Sequence, residues 1–276
     1  MKSDVTRWKT GISTWDLSPE NLMRLKRAGI DCVEFCPQEY DDIPWQQVRQ
    51  NADQAGVEIW SLHLDYDWAI HIADPDENVR RGAVETQSWF IRQAAAIGIG
   101  RCVIHASLEP IPDAERSVWL AQAQRSLGEL ARCAADAGVT LCVEDLPRTC
   151  LGRTADEMLQ LLSADDRLRV CFDVNHLLTS NGCTHLEFVQ KLGQRIATVH
   201  LSDYDFADEK HFVPGSGRIN WRELITALED AGYPGPFMCE CYFEPHPDFP
   251  HVPWLPVEKL KERQMCIKTF EGPLNG

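Results

Sequence analysis

Four residues with metal-binding chemistry occupy comparable places along this 276-residue chain. Each closes a short apolar run: Val-Thr-Leu-Cys-Val-Glu144, Leu-Arg-Val-Cys-Phe-Asp173, Ile-Ala-Thr-Val-His200 and Pro-Phe-Met-Cys-Glu240. Two Glu, one Asp and one His make a hard, oxygen-rich donor set for one divalent metal ion, with Mg²⁺, Mn²⁺, Co²⁺ and catalytic Zn²⁺ all admissible. The lack of Cys in the set argues against a closed structural zinc site. The four stand 29, 27 and 40 residues apart. That is one strand plus one helix per step, stretched once by a loop. A parallel barrel gathers the C-terminal ends of its strands around one mouth, so residues spaced this way converge. A buried carboxylate is costly without a cation or a donor network. Four such residues, all at strand ends, therefore read as one site.

Other groups lie at the same depth. His63 and His105 end the third and fourth runs, His176 follows Asp173 in Asp-Val-Asn-His, and His211 sits in the loop after His200. A lone His on an apolar strand is ordinarily a satisfied core residue; a shared position at one mouth makes these four candidates for substrate contact. Glu34 ends the second run and could bind hydroxyls. Trp15 and Trp68 could supply apolar walls to such a site, with plain core packing as the competing reading. Arg148, Arg153 and Arg218 could hold a phosphate or carboxylate, since guanidinium groups match planar oxyanions, or they could be solvated surface charges. His71, His185, His246 and His251 read as loop residues.

The elements that must position these groups alternate between strand and helix. Strands are predicted near Thr10–Thr14, Cys32–Phe35, Val57–Leu64, Arg101–His105, Val139–Glu144, Leu168–Asp173, Ile196–Leu201 and Pro236–Tyr242. Helices are predicted from Ser18-Pro19-Glu20, at Pro44–Ala55 closed by Gly56, Asn78–Ile97, Ala114–Ala137, after Thr154, Thr184–Leu192, Asn220–Ala231 and Val257–Phe270. Ser18 and Thr154 are good N-caps, and Gly suits a helix C-terminus. Apolar stripes such as Leu159 with Leu162, and Leu224 with Ile225 and Leu228, have helical spacing. The strands are near-continuous apolar runs, as when both faces are covered. Eight such units predict an α/β protein, a single (β/α)8 TIM barrel spanning residues 1–276. No glycine-rich dinucleotide fingerprint follows the first strand. Two long loops interrupt the rhythm: Ser202–Ile219, with Gly215-Ser216-Gly217, and a Pro-rich stretch at 243–256.

Bulk properties narrow the function. Apolar residues make up 44% of the chain, enough for one large core, and the net charge is −15. Such a surface repels nucleic acid on average, so no nucleic-acid partner is expected. The first residues lack a signal-peptide core and no run approaches a membrane span, so no membrane partner is expected and the default is a cytoplasmic protein. Most of the eleven Cys lie inside apolar runs, where free Cys acts as a small buried hydrophobe, and their odd number argues against a disulfide framework.

Val-Glu144-Asp, Asp173-Val-Asn-His176, His200-Leu-Ser-Asp203, Gly215-x-Gly217-x-Ile-x-Trp221 and Glu240 together resemble the xylose-isomerase-like TIM-barrel superfamily, from Gly11 to about Tyr242. That group includes sugar and sugar phosphate isomerases and epimerases, ketose 3-epimerases, inositol-catabolic enzymes and endonuclease IV. The resemblance implies a metal-dependent isomerase or epimerase acting on a small sugar-like substrate, in which Glu144, Asp173, His200 and Glu240 hold the metal and Glu144 and Glu240 move protons. It also implies substrate contact for His176, and an Arg near Arg218. Such chemistry removes a proton next to a carbonyl while a cation stabilises the enediolate. Strands five and eight stand three steps apart in an eight-strand ring, so the two Glu can bracket a bound sugar. Three alternatives use the same barrel. One is an endonuclease IV-like phosphodiesterase with three metals, for which His63, His105, His176, His211 and Glu209 would be additional ligands; the charge opposes it. Another is a dehydratase or lyase acting on an inositol, keto-sugar or hydroxy acid. The last is a non-catalytic binding barrel, which would not need these ligands. The Pro-rich loop could close over its own site or reach a neighbouring copy, so a homo-oligomer is admitted.

Overall fold

The computed structural model describes residues 4–40, 42–67, 70–245 and 251–270. Trp68 and His246 lie outside the described residues, as does 246–250 of the Pro-rich stretch. The strands are β1 (Thr10–Thr14), β2 (Cys32–Phe35), β3 (Glu58–His63), β4 (Arg101–His105), β5 (Thr140–Glu144), β6 (Arg169–Asp173), β7 (Ile196–His200) and β8 (Phe237–Cys239). The helices are α1 (Pro19–Arg27), α2 (Trp45–Ala55), α3 (Glu77–Ala96), α4 (Arg116–Ala137), α5 (Ala155–Leu162), α6 (His185–Leu192), α7 (Trp221–Asp230) and α8 (Leu260–Cys266). All strand pairs are parallel, in the order β7-β6-β5-β4-β3-β2-β1-β8. A bridge between Leu201 and Cys239 joins the two ends of this order. The result is the predicted (β/α)8 TIM barrel.

Local chemistry sets the element ends. The Ser18, Thr154 and Thr184 hydroxyls accept backbone N–H groups of Asn21, Glu157 and Glu187 at the starts of α1, α5 and α6. Gly56 and Gly138 end α2 and α4 in the left-handed conformation that glycine adopts without a Cβ clash. Inside the barrel Val103, Cys142 and Cys171 form a small apolar cluster separate from the main core between strands and helices. All eleven Cys are free thiols. Among the described residues no helix is long and apolar enough to cross a membrane.

Three expectations need correction. In α5 the buried face is Met158, Leu161 and Leu162, while Leu159 is exposed. β8 is three residues rather than seven; its pairing with β1 runs only from Phe237 to Cys239. The last helix is a single α-helical segment, α8, flanked by 3-10 turns at Val257–Lys259 and Ile267–Thr269.

Candidate metal centre and active-site cavity

Strand register does the positioning. Glu144 lies opposite His105 across β4–β5, and Asp173 lies opposite His200 across β6–β7. Glu240 follows β8, its N–H still donating to Leu201 O at 3.2 Å. One donor atom from each of Glu144, Asp173, His200 and Glu240 lies within 4.8 Å of the other three. His200 Nδ1 is 3.1 Å from Glu144 Oε1, 3.0 Å from Glu240 Oε2 and 3.8 Å from Asp173 Oδ2. Asp173 Oδ1 accepts the Asn175 N–H at 2.7 Å, whereas Oδ2 is buried without a hydrogen-bond partner; the nearest ionisable neighbour is His176 Nε2, 3.4 Å away. Three carboxylates facing one another around one imidazole nitrogen repel unless positive charge joins them. The orphaned Asp173 oxygen and the hard donor set fit a divalent cation.

Electrostatics separate the three carboxylates of the cluster. Burial would raise the Glu144 carboxyl, but His200 and His105 outweigh it and hold the group well below the ordinary range. Burial also opposes ionisation of Glu240, and His200 brings it down to about 2. Asp173 is pushed up to about 6 by burial. Burial depresses the His63 imidazole, but contact with Glu144 more than compensates and lifts it to about 9.

The remaining candidates fall into distinct roles. His63 Nε2 and His105 Nε2 each lie 3.2 Å from Glu144 Oε2, so these three residues form a second grouping beside the first. His176 Nδ1 donates to Asp145 O at 2.7 Å and turns Nε2 towards Asp173 and Glu209. His211 contacts Glu240 O through Nδ1 and Glu209 Oε1 through Nε2, at 3.1 and 2.8 Å. Glu34, read from the sequence as a group that could bind hydroxyls, is turned inward. It is fully buried behind His200, with Oε1 2.8 Å from Nε2 in a close but poorly aligned contact, and Oε2 accepts the Ser61 hydroxyl. A carboxylate at the far side of an imidazole stands where a partner can fix a ligating ring.

Two adjoining cavities of about 380 and 710 Å³ share Cys36, Tyr66 and Glu240. The smaller is lined by His63, His105, Glu144, His176 and His211, the larger by Trp15, Tyr40, Asp65 and Asp67. Arg218 belongs to neither. It lines a separate cavity of about 470 Å³ with His185, Phe206 and Asn220. Arg153 contacts Arg148 O and Asp113. His71 is a loop residue, as expected, and is buried; His185 is instead the first residue of α6, half-buried, and donates to Val174 O at 2.6 Å. Sequence reasoning missed Tyr66, whose ring stacks on His105 with centroids 4.9 Å apart. Its place three residues after His63 was the available signal. Asp145, the Asp of Val-Glu144-Asp, was given no role from the sequence; it accepts the Asp173 N–H at 2.8 Å.

The glycine-containing loop after β7 has a structural explanation. Asp203 is fully buried; its Oδ1 accepts the N–H groups of Tyr204 and Ile219, and its Oδ2 accepts those of Gly215 and the Trp221 indole. Gly215 is left-handed at φ 90°. A Cβ on Gly217 would stand 2.3 Å from Asp203 Oδ1 and 2.5 Å from Tyr204 O. The motif therefore wraps backbone around one carboxylate and carries Glu209 and His211 to the mouth.

An eight-stranded parallel barrel with a carboxylate–histidine cluster at the C-terminal ends of its strands defines the class of protein. Residues 22–262 match the xylose isomerase-like TIM barrel family, and the chain belongs to it. It is 32% identical over 178 residues to the uncharacterised protein MJ1311 of Methanocaldococcus jannaschii, covering 60% of this chain and 59% of that one. It is 26% identical over 164 residues to fructoselysine 3-epimerase of Shigella flexneri, covering 58% and 59%. The matched segment thus spans under two thirds of these curated relatives. The crystal structure of D-psicose 3-epimerase from Clostridium cellulolyticum H10 has the same fold, with a TM-score of 0.77, 18% identity and coverage of 95% and 99%.

Proposed function

We propose that this chain is a divalent-metal-dependent sugar epimerase or isomerase, and that Glu144 and Glu240 exchange the proton on a carbon next to a carbonyl. The convergence of Glu144, Asp173, His200 and Glu240 within 4.8 Å carries this reading, and the named activity of the fructoselysine relative and the psicose structure supports it. Those four residues would hold the cation, which would supply positive charge to offset the charge developing on the substrate oxygens. The protein's own groups divide the remaining work. Glu144 and Glu240 are both drawn towards their ionised forms, the form that accepts a proton. Glu144 is held by His63 and His105 on one oxygen and His200 on the other, which limits its rotation. Glu240 is 30% exposed and borders both cavities, so it meets the substrate from the open side. Tyr66 and Trp15 offer aromatic surface for the apolar face of a sugar ring.

The test is turnover of a panel of ketoses with Mn²⁺ or Mg²⁺, for wild type, Glu144→Gln and Glu240→Gln, with bound metal measured in each. Loss of one proton-transfer group lowers kcat by about 10²- to 10⁴-fold. Retained turnover in a metal-loaded variant removes that residue from the mechanism, and turnover that survives exhaustive chelation removes the metal. The grouping of His63 and His105 with Glu144 favours a second reading, a multi-metal phosphodiesterase. Three bound metals per chain together with phosphodiester cleavage would select it.

A further inference from the structure

Resting on the epimerase reading, we infer that Glu109 and Asp208 set specificity by holding Arg148, and that the site takes an uncharged polyhydroxy ketone or aldehyde rather than its phosphate ester. Among the described residues, Arg148 is the only Lys or Arg lining the two adjoining cavities. All three of its guanidinium nitrogens are occupied: Nε by Glu109 at 2.7 Å, Nη1 by Asp208 at 2.8 Å and Nη2 by Glu209 at 3.1 Å. These carboxylates come from two loops, after β4 and after β7, and meet an arginine from the loop after β5. Arg148 has φ 50°, a left-handed backbone costly for a residue with a Cβ, so its contacts hold a specific pose.

A phosphate dianion needs a free cation or a nest of free backbone N–H groups. In the candidate nest around Gly215-Ser216-Gly217, four of the five N–H groups from Gly215 to Ile219 are already engaged. Gly215 and Ile219 donate to Asp203, Ser216 to Val213 O, and Arg218 to Tyr204 O. At the outer rim Arg24 is engaged by Glu244 and Glu258. The ring nitrogens of His63, His176 and His211 each contact a carboxylate or a carbonyl. Asp65, Asp67 and Glu109 add carboxylates to the cavity walls. An incoming phosphate would have to displace two or three ion pairs from Arg148. A neutral polyol would lose nothing of the kind.

The test is calorimetric binding to the metal-loaded protein of D-fructose, D-fructose 6-phosphate and inorganic phosphate. The ester should bind wild type at least about tenfold more weakly than the free ketose. E109Q/D208N should bind both phosphates about tenfold more tightly than wild type does, the gain from one freed charge-assisted hydrogen bond. E109Q alone, which changes one half-exposed residue, should give part of that gain should the double variant fold poorly. Adding R148Q should return phosphate affinity to the wild-type value. Preference of wild type for the ester, or unchanged phosphate affinity in both E109Q and the double variant, would overturn the inference. The phosphate arms need no sugar chemistry. If they behave as expected while the ketose panel shows no turnover, the charge inference stands and the epimerase reading fails.

Discussion

Asp203 offers a sharp test of how the mouth is built. Replacing it with Asn keeps the shape but turns one of two acceptor oxygens into an NH₂ group. In the wild type Oδ1 accepts from Tyr204 N at 2.9 Å and Ile219 N at 3.1 Å, and Oδ2 from Gly215 N at 2.9 Å and Trp221 Nε1 at 2.7 Å. Either orientation of the amide leaves two donors facing a donor. Both Asp203 and Trp221 are fully buried, so water does not readily replace the lost acceptor. An unsatisfied buried donor costs about 1–3 kcal/mol, so Asp203→Asn should destabilise the protein by about 2–6 kcal/mol. Equilibrium urea unfolding followed by circular dichroism reads this directly. Trp221→Phe, which removes one donor and leaves Gly215 on the same oxygen, separates the hydrogen-bond loss from the amide clash. A change below about 1 kcal/mol in Asp203→Asn would refute the view that this carboxylate organises the loop.

Two further expectations concern other parts of the site. Glu34→Gln removes the charge 2.8 Å behind His200 Nε2 and should weaken metal binding by about 10- to 100-fold in a competitive chelator titration; unchanged affinity would show that Glu34 does not orient the ligand. The His185 imidazole is driven below its ordinary 6.5 mainly by burial, against a smaller opposing contribution from its hydrogen bond to Val174 O. The unfolded chain then takes up a proton near 6.5 that the folded chain refuses. Stability should be held above that pH and fall below it, by at most about 1.4 kcal/mol per pH unit from this group. His185→Gln should flatten that part of the profile, and an unchanged slope between neutral and mildly acidic pH would rule the group out.

The barrel and its metal-type cluster were legible in the chain because both depend on local, periodic properties. Apolar runs of strand length, helical stripes and caps such as Ser18 and Thr154 identify each element. A parallel barrel then brings the C-terminal ends of its strands to one place whatever the side chains are. That is why Glu144, Asp173, His200 and Glu240 could be grouped across almost a hundred residues of sequence. Other assignments needed the tertiary structure. Arg148 and Arg218 look alike as loop arginines, but one is locked by three carboxylates at the mouth and the other faces a separate cavity. Glu34 ends its strand like the ligands, yet is turned under His200 rather than towards the cavity. The glycines after β7 mark only a long loop in the sequence; that they close around the Asp203 carboxylate is visible only in the fold. Strand ends are placed by backbone geometry that every residue obeys. Loop side chains are placed by partners distant in sequence, and only folding decides which partners those are.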